Sequence, residues 1–139
     1  YRDPFGVKPL YYTFLSDRTL VFASERKALF CYPGTFPRLD KKGLCEIFAL
    51  GPSKTPGCGV FKGIDELKPG HYIRYDRFGC SITCYFRIQS IPHTDDYQTT
   101  VEKTSDLLNA AVKRQIVSDV PICTFLSGGI QYLIYQVTS

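Results

Sequence analysis

Ser127, Gly128 and Gly129 follow a short apolar run and form the stretch of the chain best suited to chemistry. The run from Val120 to Leu126 is predicted to be a buried strand. A strand that ends in Ser-Gly-Gly can turn with positive φ, so that successive N–H groups and the serine hydroxyl point at phosphate oxygens. Because strand-glycine turns are also common in ordinary βα connections, the pattern alone leaves a plain structural turn open.

A long helix is predicted to lead into this strand. Apolar residues recur at helical spacing from Tyr97 to Ile116, after a break in composition at Ser90–Asp96. A helix, a strand and a glycine turn are the first elements of a parallel nucleotide-binding domain. The break predicts one domain over residues 1–92 and the start of a second over residues 93–139. With only part of its sheet present, the helix is expected to be partly uncovered.

The first domain is predicted to contain antiparallel strands with short helices, so the fold class of the whole chain is α/β (α+β). Turn residues separate two pairs of strand-like segments, which predict two hairpins. The first pairs Leu10–Leu15 with Thr19–Ala23, and the second pairs Tyr72–Tyr75 with Ile82–Phe86.

Two helices are predicted between these hairpins. Ser24 is the expected cap of a short helix over residues 25–30. Asp40 is the expected cap of a helix over residues 41–50, which Gly51 ends. Leu44, Ile47 and Phe48 share one face of this helix. The loop over residues 51–59 is predicted to be mobile because it is rich in Gly, Pro, Ser and Thr.

Composition excludes several classes of protein. The 139 residues, 44% of them hydrophobic, can bury the core of a globular domain. No run of about 18 apolar residues and no basic-then-apolar leader is present, which predicts neither a membrane span nor a secretory signal, and favours the cytoplasm. The net charge of +4 is scattered, so nucleic acid is not expected as a partner. The absence of methionine and the polar start at Tyr1 indicate a fragment or a processed piece.

The six cysteines match neither a zinc pattern nor a compact disulfide framework. Only two histidines, His71 and His93, are available to complete a metal site. Reduced cysteines and no metal ligand are therefore expected.

Four stretches together resemble glutamine-dependent asparagine synthetases. Their order and spacing agree with that family from residue 1 to about residue 130. The stretch over 2–10 is similar to the RDxxGxxPL segment of amidotransferase domains with an N-terminal nucleophile, 23–29 to ASExKAL, 61–71 to FxGIxxLxPGH, and 118–129 to the SDVPxxxxLSGG entry of the ATP-pyrophosphatase loop.

The resemblance implies an enzyme in two halves. Such enzymes release ammonia from glutamine, activate aspartate with ATP and Mg²⁺, and form asparagine, glutamate, AMP and pyrophosphate. The implied partners of the complete enzyme are these small molecules, and a homodimer stays open. On this resemblance Ser127, Gly128 and Gly129 would cradle the ATP phosphates, and Phe125 would touch adenine.

Two departures from the family bear on activity. The family loop continues with an aspartate and a serine, whereas this chain has Gln131 and Tyr132. A neutral amide is a poorer magnesium ligand than a carboxylate. The catalytic N-terminal cysteine of the family is absent from this chain, so no catalytic residue is assigned. The chain by itself is therefore predicted neither to hydrolyse glutamine nor to adenylate aspartate.

Other polar residues receive structural interpretations. Arg2 and Asp3 could hold the glutaminase fold or its interface, but a structural ion pair at a turn is favoured. Glu25 and Lys27 could line a passage between two active sites, but a solvated helix start is favoured. His71 is interpreted as structural.

Asp119 is interpreted as a turn residue, since a proline, Pro121, follows two positions later.

Two alternatives stay open at this point. One is a related amidotransferase that amidates another acid or closes a lactam. The other is a non-catalytic remnant or interaction module, which Gln131 favours.

Overall fold

The computed structural model describes residues 1–121, and its architecture is α+β with antiparallel sheets. The chain divides into two compact units, residues 1–89 and 90–139. The elements in order are β1 (Tyr11–Phe14), β2 (Leu20–Ala23), α1 (Arg26–Leu29), α2 (Lys41–Leu50), β3 (Asp65–Glu66), β4 (His71–Asp76), β5 (Gly79–Cys84) and α3 (Tyr97–Gln115).

The first unit contains a three-stranded sheet in the order β2-β1-β3. β1 and β2 form the first predicted hairpin, with Tyr11 opposite Ala23. At its turn the N–H of Thr19 donates to the carboxylate of Asp17 (2.9 Å). β3 pairs antiparallel with the other edge of β1 and puts Glu66 opposite Tyr11. The sequence did not predict β3, because two residues are too few for a strand period to appear.

The hydrophobic core lies between β1, α1 and the segment before β3. Tyr11, Leu29 and Ile64 form its buried cluster, and Leu29 is fully buried. Phe30 and Phe61 pack edge to face beside it, with ring centroids 5.0 Å apart. The first helix of the chain therefore contributes Leu29 to the centre of the core.

Ser24 does not cap this helix, so that prediction is wrong. The residue before the first turn of α1 is Glu25, whose backbone is extended and whose side chain makes no capping hydrogen bond. The helix is a single turn over Arg26–Leu29, shorter than the expected 25–30. The position of α1 is therefore fixed by burial of Leu29 and not by a capping hydrogen bond.

The ends of α2 are those that the sequence predicts, but its apolar face is not buried. Asp40 accepts the N–H of Gly43 (2.9 Å), and Gly51 ends the helix with a positive φ. The predicted apolar face, including Leu44 and Phe48, is exposed within the described part of the chain. The helix instead contacts the segment before β3 at Gly43. An added Cβ at Gly43 would lie 2.0 Å from the Val60 carbonyl oxygen.

The loop over residues 51–59, predicted to be mobile, makes several hydrogen bonds and an ion pair with the rest of the first unit. The N–H of Thr55 donates to Glu46 (2.7 Å), and the N–H of Glu66 donates to the carbonyl of Gly57 (3.1 Å). The ammonium of Lys54 reaches the carboxylate of Glu66 (2.7 Å). Its polar composition therefore supplies specific contacts in this fold.

β4 and β5 form the second hairpin. Its second strand, β5, begins at Gly79, three residues before the predicted start at Ile82. Tyr85 and Phe86, predicted to continue that strand, leave the ladder. Their N–H groups both donate to the carbonyl of Gly70, at 2.8 and 3.1 Å. This contact closes the base of the hairpin onto the turn that precedes it.

In the second unit, α3 agrees with the predicted helix to within one residue. Asp96 caps it by accepting the N–H of Thr99 (2.8 Å). Val112 is buried, whereas Val101 and Leu107 are 45% and 73% exposed, so the helix is partly uncovered as expected. Among the described helices, none combines the length and the hydropathy needed to cross a membrane.

Gly70 provides a test of how the second hairpin is closed. It has φ +66°, and a Cβ would lie 2.4 Å from the Phe86 carbonyl oxygen. Gly70→Ala is expected to lower the free energy of unfolding by about 3–5 kcal/mol, since it adds a backbone clash to the cost of a left-handed residue. Urea unfolding followed by circular dichroism measures the loss.

Gly63→Ala is the matched control. Gly63 has φ +77° with no atom within 4 Å of its Cβ position. Only the conformational cost applies there, about 1–2 kcal/mol. Equal losses in the two variants would contradict the close approach at Gly70.

Candidate functional site

The residues predicted to bind ATP lie outside the described residues. These are Phe125, Ser127, Gly128 and Gly129, together with Gln131 and Tyr132 after them. The entry to that stretch is described: the chain bends at Asp119, and the N–H of Val120 donates to the hydroxyl of Ser118 (3.2 Å). The bend agrees with the interpretation of Asp119 as a structural residue, and its hydrogen bond is made by Ser118.

The described candidate site is built around Arg2, in the segment that resembles RDxxGxxPL. Its side chain is only 8% exposed, and its guanidinium donates to the carbonyls of Lys8 (3.1 Å), Gly6 (3.1 Å) and Leu67 (2.5 Å). It also pairs with the carboxylate of Glu66 (3.0 Å). Its ion-pair partner is thus not Asp3, as the sequence predicted, but a residue 64 positions away.

Glu66 is the shared carboxylate of this site. Its side chain is 4% exposed, and its second oxygen accepts from the ammonium of Lys54 (2.7 Å). The same ammonium donates to the hydroxyl of Tyr11 (2.6 Å) and lies 4.6 Å from the centre of the tyrosine ring. Arg2, Glu66, Lys54 and Tyr11 together form the Arg2–Glu66 cluster. Its two cations and one buried carboxylate give it a net positive charge, which the ring of Tyr11 partly compensates.

Asp3 organises the turn that follows Arg2. Its carboxylate accepts the backbone N–H groups of Phe5 (3.2 Å), Val7 (2.9 Å) and Lys8 (3.1 Å). These bonds, the one from Lys8 first, hold the pKa of Asp3 below its ordinary value of 3.8. Asp3 therefore fixes the loop as a carboxylate.

The Lys68–Gly70 turn and the second hairpin hold this segment from the other side. The N–H of Arg2 donates to the carbonyl of His71, and the N–H of Gly70 donates to the carbonyl of Asp3, both at 3.0 Å. The hydroxyl of Tyr85 donates to the carbonyl of Arg2 (2.6 Å). The Arg2–Asp3 backbone is thus bonded to two segments that lie about 70 and 80 residues further along the chain.

His71 takes the structural place that the sequence indicated. Its Nδ1 lies 2.7 Å from the carbonyl oxygen of Pro69, within its own turn. Its backbone carbonyl accepts the N–H of Arg2. Both contacts shape the turn, and neither presents the ring to a nucleophile.

Glu25 and Lys27 pair with each other (3.0 Å) and are largely exposed. The favoured interpretation of a solvated helix start is confirmed to that extent. They also border a cavity of about 450 Å³, whose lining residues are Pro9, Tyr11, Ser24, Glu25, Arg26, Lys27, Phe30 and Phe61. The structure thus places the ASE segment beside the ring of Tyr11 and next to the Arg2–Glu66 cluster.

The described site can position and anchor, since its polar groups are paired within the protein. Among residues 1–121 no group of three His, Cys, Asp or Glu side chains converges to hold a metal ion. Sequence reasoning missed Lys54, Glu66 and Tyr85. For Glu66 the sequence shows only an acidic pair, Asp65-Glu66, flanked by Ile64 and Leu67, and this pattern does not indicate which cation Glu66 binds.

The carboxylate of Asp3 makes the site sensitive to acid. Because the folded pKa lies below the ordinary 3.8, the folded state binds that proton less tightly than the unfolded state. The stabilisation is fully present above about pH 4 and is lost as pH falls through the folded pKa. Asp3→Asn is expected to flatten the loss of stability between about pH 5 and pH 3, measured by thermal unfolding at each pH.

Asp65→Asn is the control for this experiment. Asp65 is an exposed acid of the same unit and forms none of the ion pairs of residues 1–121. It should leave the acid dependence close to that of the unsubstituted chain. An unchanged pH profile in Asp3→Asn would show that the three N–H bonds to Asp3 do not stabilise the fold.

Two family models match the chain in succession. The model for the glutamine amidotransferase domain covers residues 1–86, and the model for asparagine synthase covers residues 103–131. The first match contains the whole Arg2–Glu66 cluster, and the second contains Ser127, Gly128 and Gly129. The division of the chain into units at residues 89 and 90 falls between them.

Three relatives from Bacillus subtilis are glutamine-hydrolysing asparagine synthetases. Asparagine synthetase 3 is 48% identical over 129 residues, asparagine synthetase 2 is 33% identical over 141 residues, and asparagine synthetase 1 is 32% identical over 130 residues. Each alignment covers 93% of this chain but only 21%, 19% and 20% of the relative, respectively. The chain thus spans about a fifth of their length, and it belongs to the glutamine amidotransferase domain family, in which these relatives are asparagine synthetases.

Proposed function

We propose that these residues are the end of the glutaminase half and the start of the synthase half of a glutamine-dependent asparagine synthase. The whole protein would convert aspartate, glutamine and ATP to asparagine, glutamate, AMP and pyrophosphate. The observation that carries this proposal is the Arg2–Glu66 cluster. It joins two family-like segments, 2–10 and 61–71, into one anchored site, and the matched relatives are asparagine synthetases.

The proposed domains are residues 1–92 and 93–139. The two family matches and the two compact units support this division. In the second domain Ser127, Gly128 and Gly129 are proposed to bind the ATP phosphates and Phe125 the adenine, with Mg²⁺ as the accompanying ion. A parallel nucleotide-binding sheet, a cytoplasmic location and a homodimer of the whole protein belong to the same proposal.

The chemistry asked of the two halves differs. In the first, the many bonds to Arg2 and Asp3 hold the loop over residues 2–10 rigid, and a rigid framework is what a glutaminase needs to position its reacting groups. In the second, the phosphates of ATP need positioning and neutralisation of charge, which backbone N–H groups of a glycine turn provide. The support for this assignment is the pattern of residues in the loop.

A second candidate function is a non-catalytic remnant. The observation that favours it is Gln131 followed by Tyr132, where the family has an aspartate and a serine. A carboxylate at that position would bind Mg²⁺ far better than an amide. In a synthase whose loop is impaired, the first part of the chain still supports catalysis. In a remnant, the first part does not support catalysis.

Two chimeras separate these possibilities. In the first, residues 1–121 replace the matched stretch of Bacillus subtilis asparagine synthetase 3. In the second, residues 1–132 replace it, so that Gln131 and Tyr132 enter as well. Asparagine formation is measured with glutamine and, separately, with ammonia as the nitrogen donor.

The first chimera is expected to keep both activities. The second is expected to lose both by on the order of 10–100-fold, because magnesium binding is weakened in the synthase half. Gln131→Asp with Tyr132→Ser in the second chimera should restore them. A first chimera that uses ammonia but not glutamine would contradict the glutaminase assignment of residues 1–92.

A further inference from the structure

A cavity of about 580 Å³ opens at the end of β1, away from the Arg2–Glu66 cluster. Three segments of the first unit surround it: the turn of the first hairpin, the loop before α2 and the segment before β3. Its lining residues are Thr13, Phe14, Leu15, Ser16, Asp17, Pro33, Gly34, Thr35, Phe36, Arg38, Lys62, Gly63 and Ile64. The volume falls in the range of small-molecule sites.

Two basic residues, Arg38 and Lys62, are among those that line this cavity. The N–H of Lys62 donates to the carbonyl of Arg38 (2.8 Å), so their backbones lie side by side. The guanidinium of Arg38 lies 5.2 Å from the centre of the Phe36 ring, which orients it. Within residues 1–121 neither cation forms an ion pair.

One acid shares the cavity with them. Asp17 accepts the N–H of Thr19 on one oxygen (2.9 Å), which lowers the pKa of its carboxyl and keeps it ionised near neutral pH. A carboxylate has further acceptor positions for a ligand cation.

Two of the three neutral hydroxyls of the lining, those of Thr13 and Thr35, are already committed within the protein, and Ser16 carries the third. Thr13 donates to the carbonyl of Gly63 (2.7 Å), and Thr35 donates to the carbonyls of Leu29 and Tyr32. The three charged groups therefore determine which ligand the cavity accepts.

Two cations, one carboxylate and an apolar wall match a ligand with two carboxylates, one ammonium and a short hydrocarbon chain. We propose that this cavity binds an acidic α-amino acid, glutamate or aspartate. Its carboxylates pair with Arg38 and Lys62, and its ammonium pairs with Asp17. No residue of the proposed ATP loop or of the Arg2–Glu66 cluster takes part, so this site is independent of the proposed function.

The test is a titration of the ¹⁵N-labelled 139-residue chain, followed by NMR. The probes are glutamate, aspartate, glutamine, glutarate and inorganic phosphate. The amides of Gly34 and Gly63, which line the cavity, report binding there. Glutamine lacks one carboxylate of glutamate, and glutarate lacks the ammonium, so each removes one proposed ion pair.

Saturable shifts at both glycines are expected with glutamate or aspartate, and the tighter of the two identifies the ligand. Glutamine and glutarate should bind about tenfold more weakly. Arg38→Ala and Lys62→Ala should each weaken binding by a similar factor. Asp17→Asn should abolish the preference for glutamate over glutarate. Arg74→Ala, an exposed cation outside the cavity, should change nothing.

The proposal is overturned by any of three results. The first is no saturable shift at Gly34 and Gly63 with either acidic amino acid up to about 10 mM. The second is equal affinity for inorganic phosphate, which would mean a general attraction of anions. The third is unchanged affinity in both Arg38→Ala and Lys62→Ala, whose spectra show whether the fold is kept.

Discussion

The buried guanidinium of Arg2 is the interaction on which the first unit depends. It bonds to the carbonyls of Gly6 and Lys8 in its own loop, to Glu66 in β3 and to the carbonyl of Leu67 directly after β3. A planar group with five donors can hold all of these at once, which an ammonium cannot. Removal of such a charge from water is costly, and the cost is offset only because each partner is also held in place.

The position of Glu66 follows from the same constraint. In a strand, neighbouring side chains point to opposite faces, so Asp65 is exposed while Glu66 is buried. Pairing of β3 with β1 puts Glu66 opposite Tyr11, whose hydroxyl binds the same lysine. Lys54 thereby fastens a loop of glycines and prolines to the core. The short strand, the loop and the amino-terminal turn are consequently one structural unit.

Features with a local cause could be predicted from the sequence. The first hairpin, the cap at Asp40 and the extent of α3 each depend on residues within a few positions of one another. The partnership of Arg2 with Glu66 spans 64 positions and leaves no periodic signal. The buried side of α2 is likewise set by a contact between Gly43 and Val60, since the absence of a side chain there allows the approach. The ATP-binding role of Ser127–Gly129 is a prediction from residue types and family resemblance, and these residues lie outside the described part of the chain.

The central claim is that the Arg2–Glu66 contact makes one site of the two family segments. A double-mutant cycle tests it most directly, with Arg2→Met, Glu66→Gln and the double variant compared by their free energies of unfolding. The predicted coupling energy is about 2 kcal/mol, in the range measured for groups of one hydrogen-bonded network. Single effects that add to within about 0.5 kcal/mol would show that the two residues act independently, and would contradict the claim.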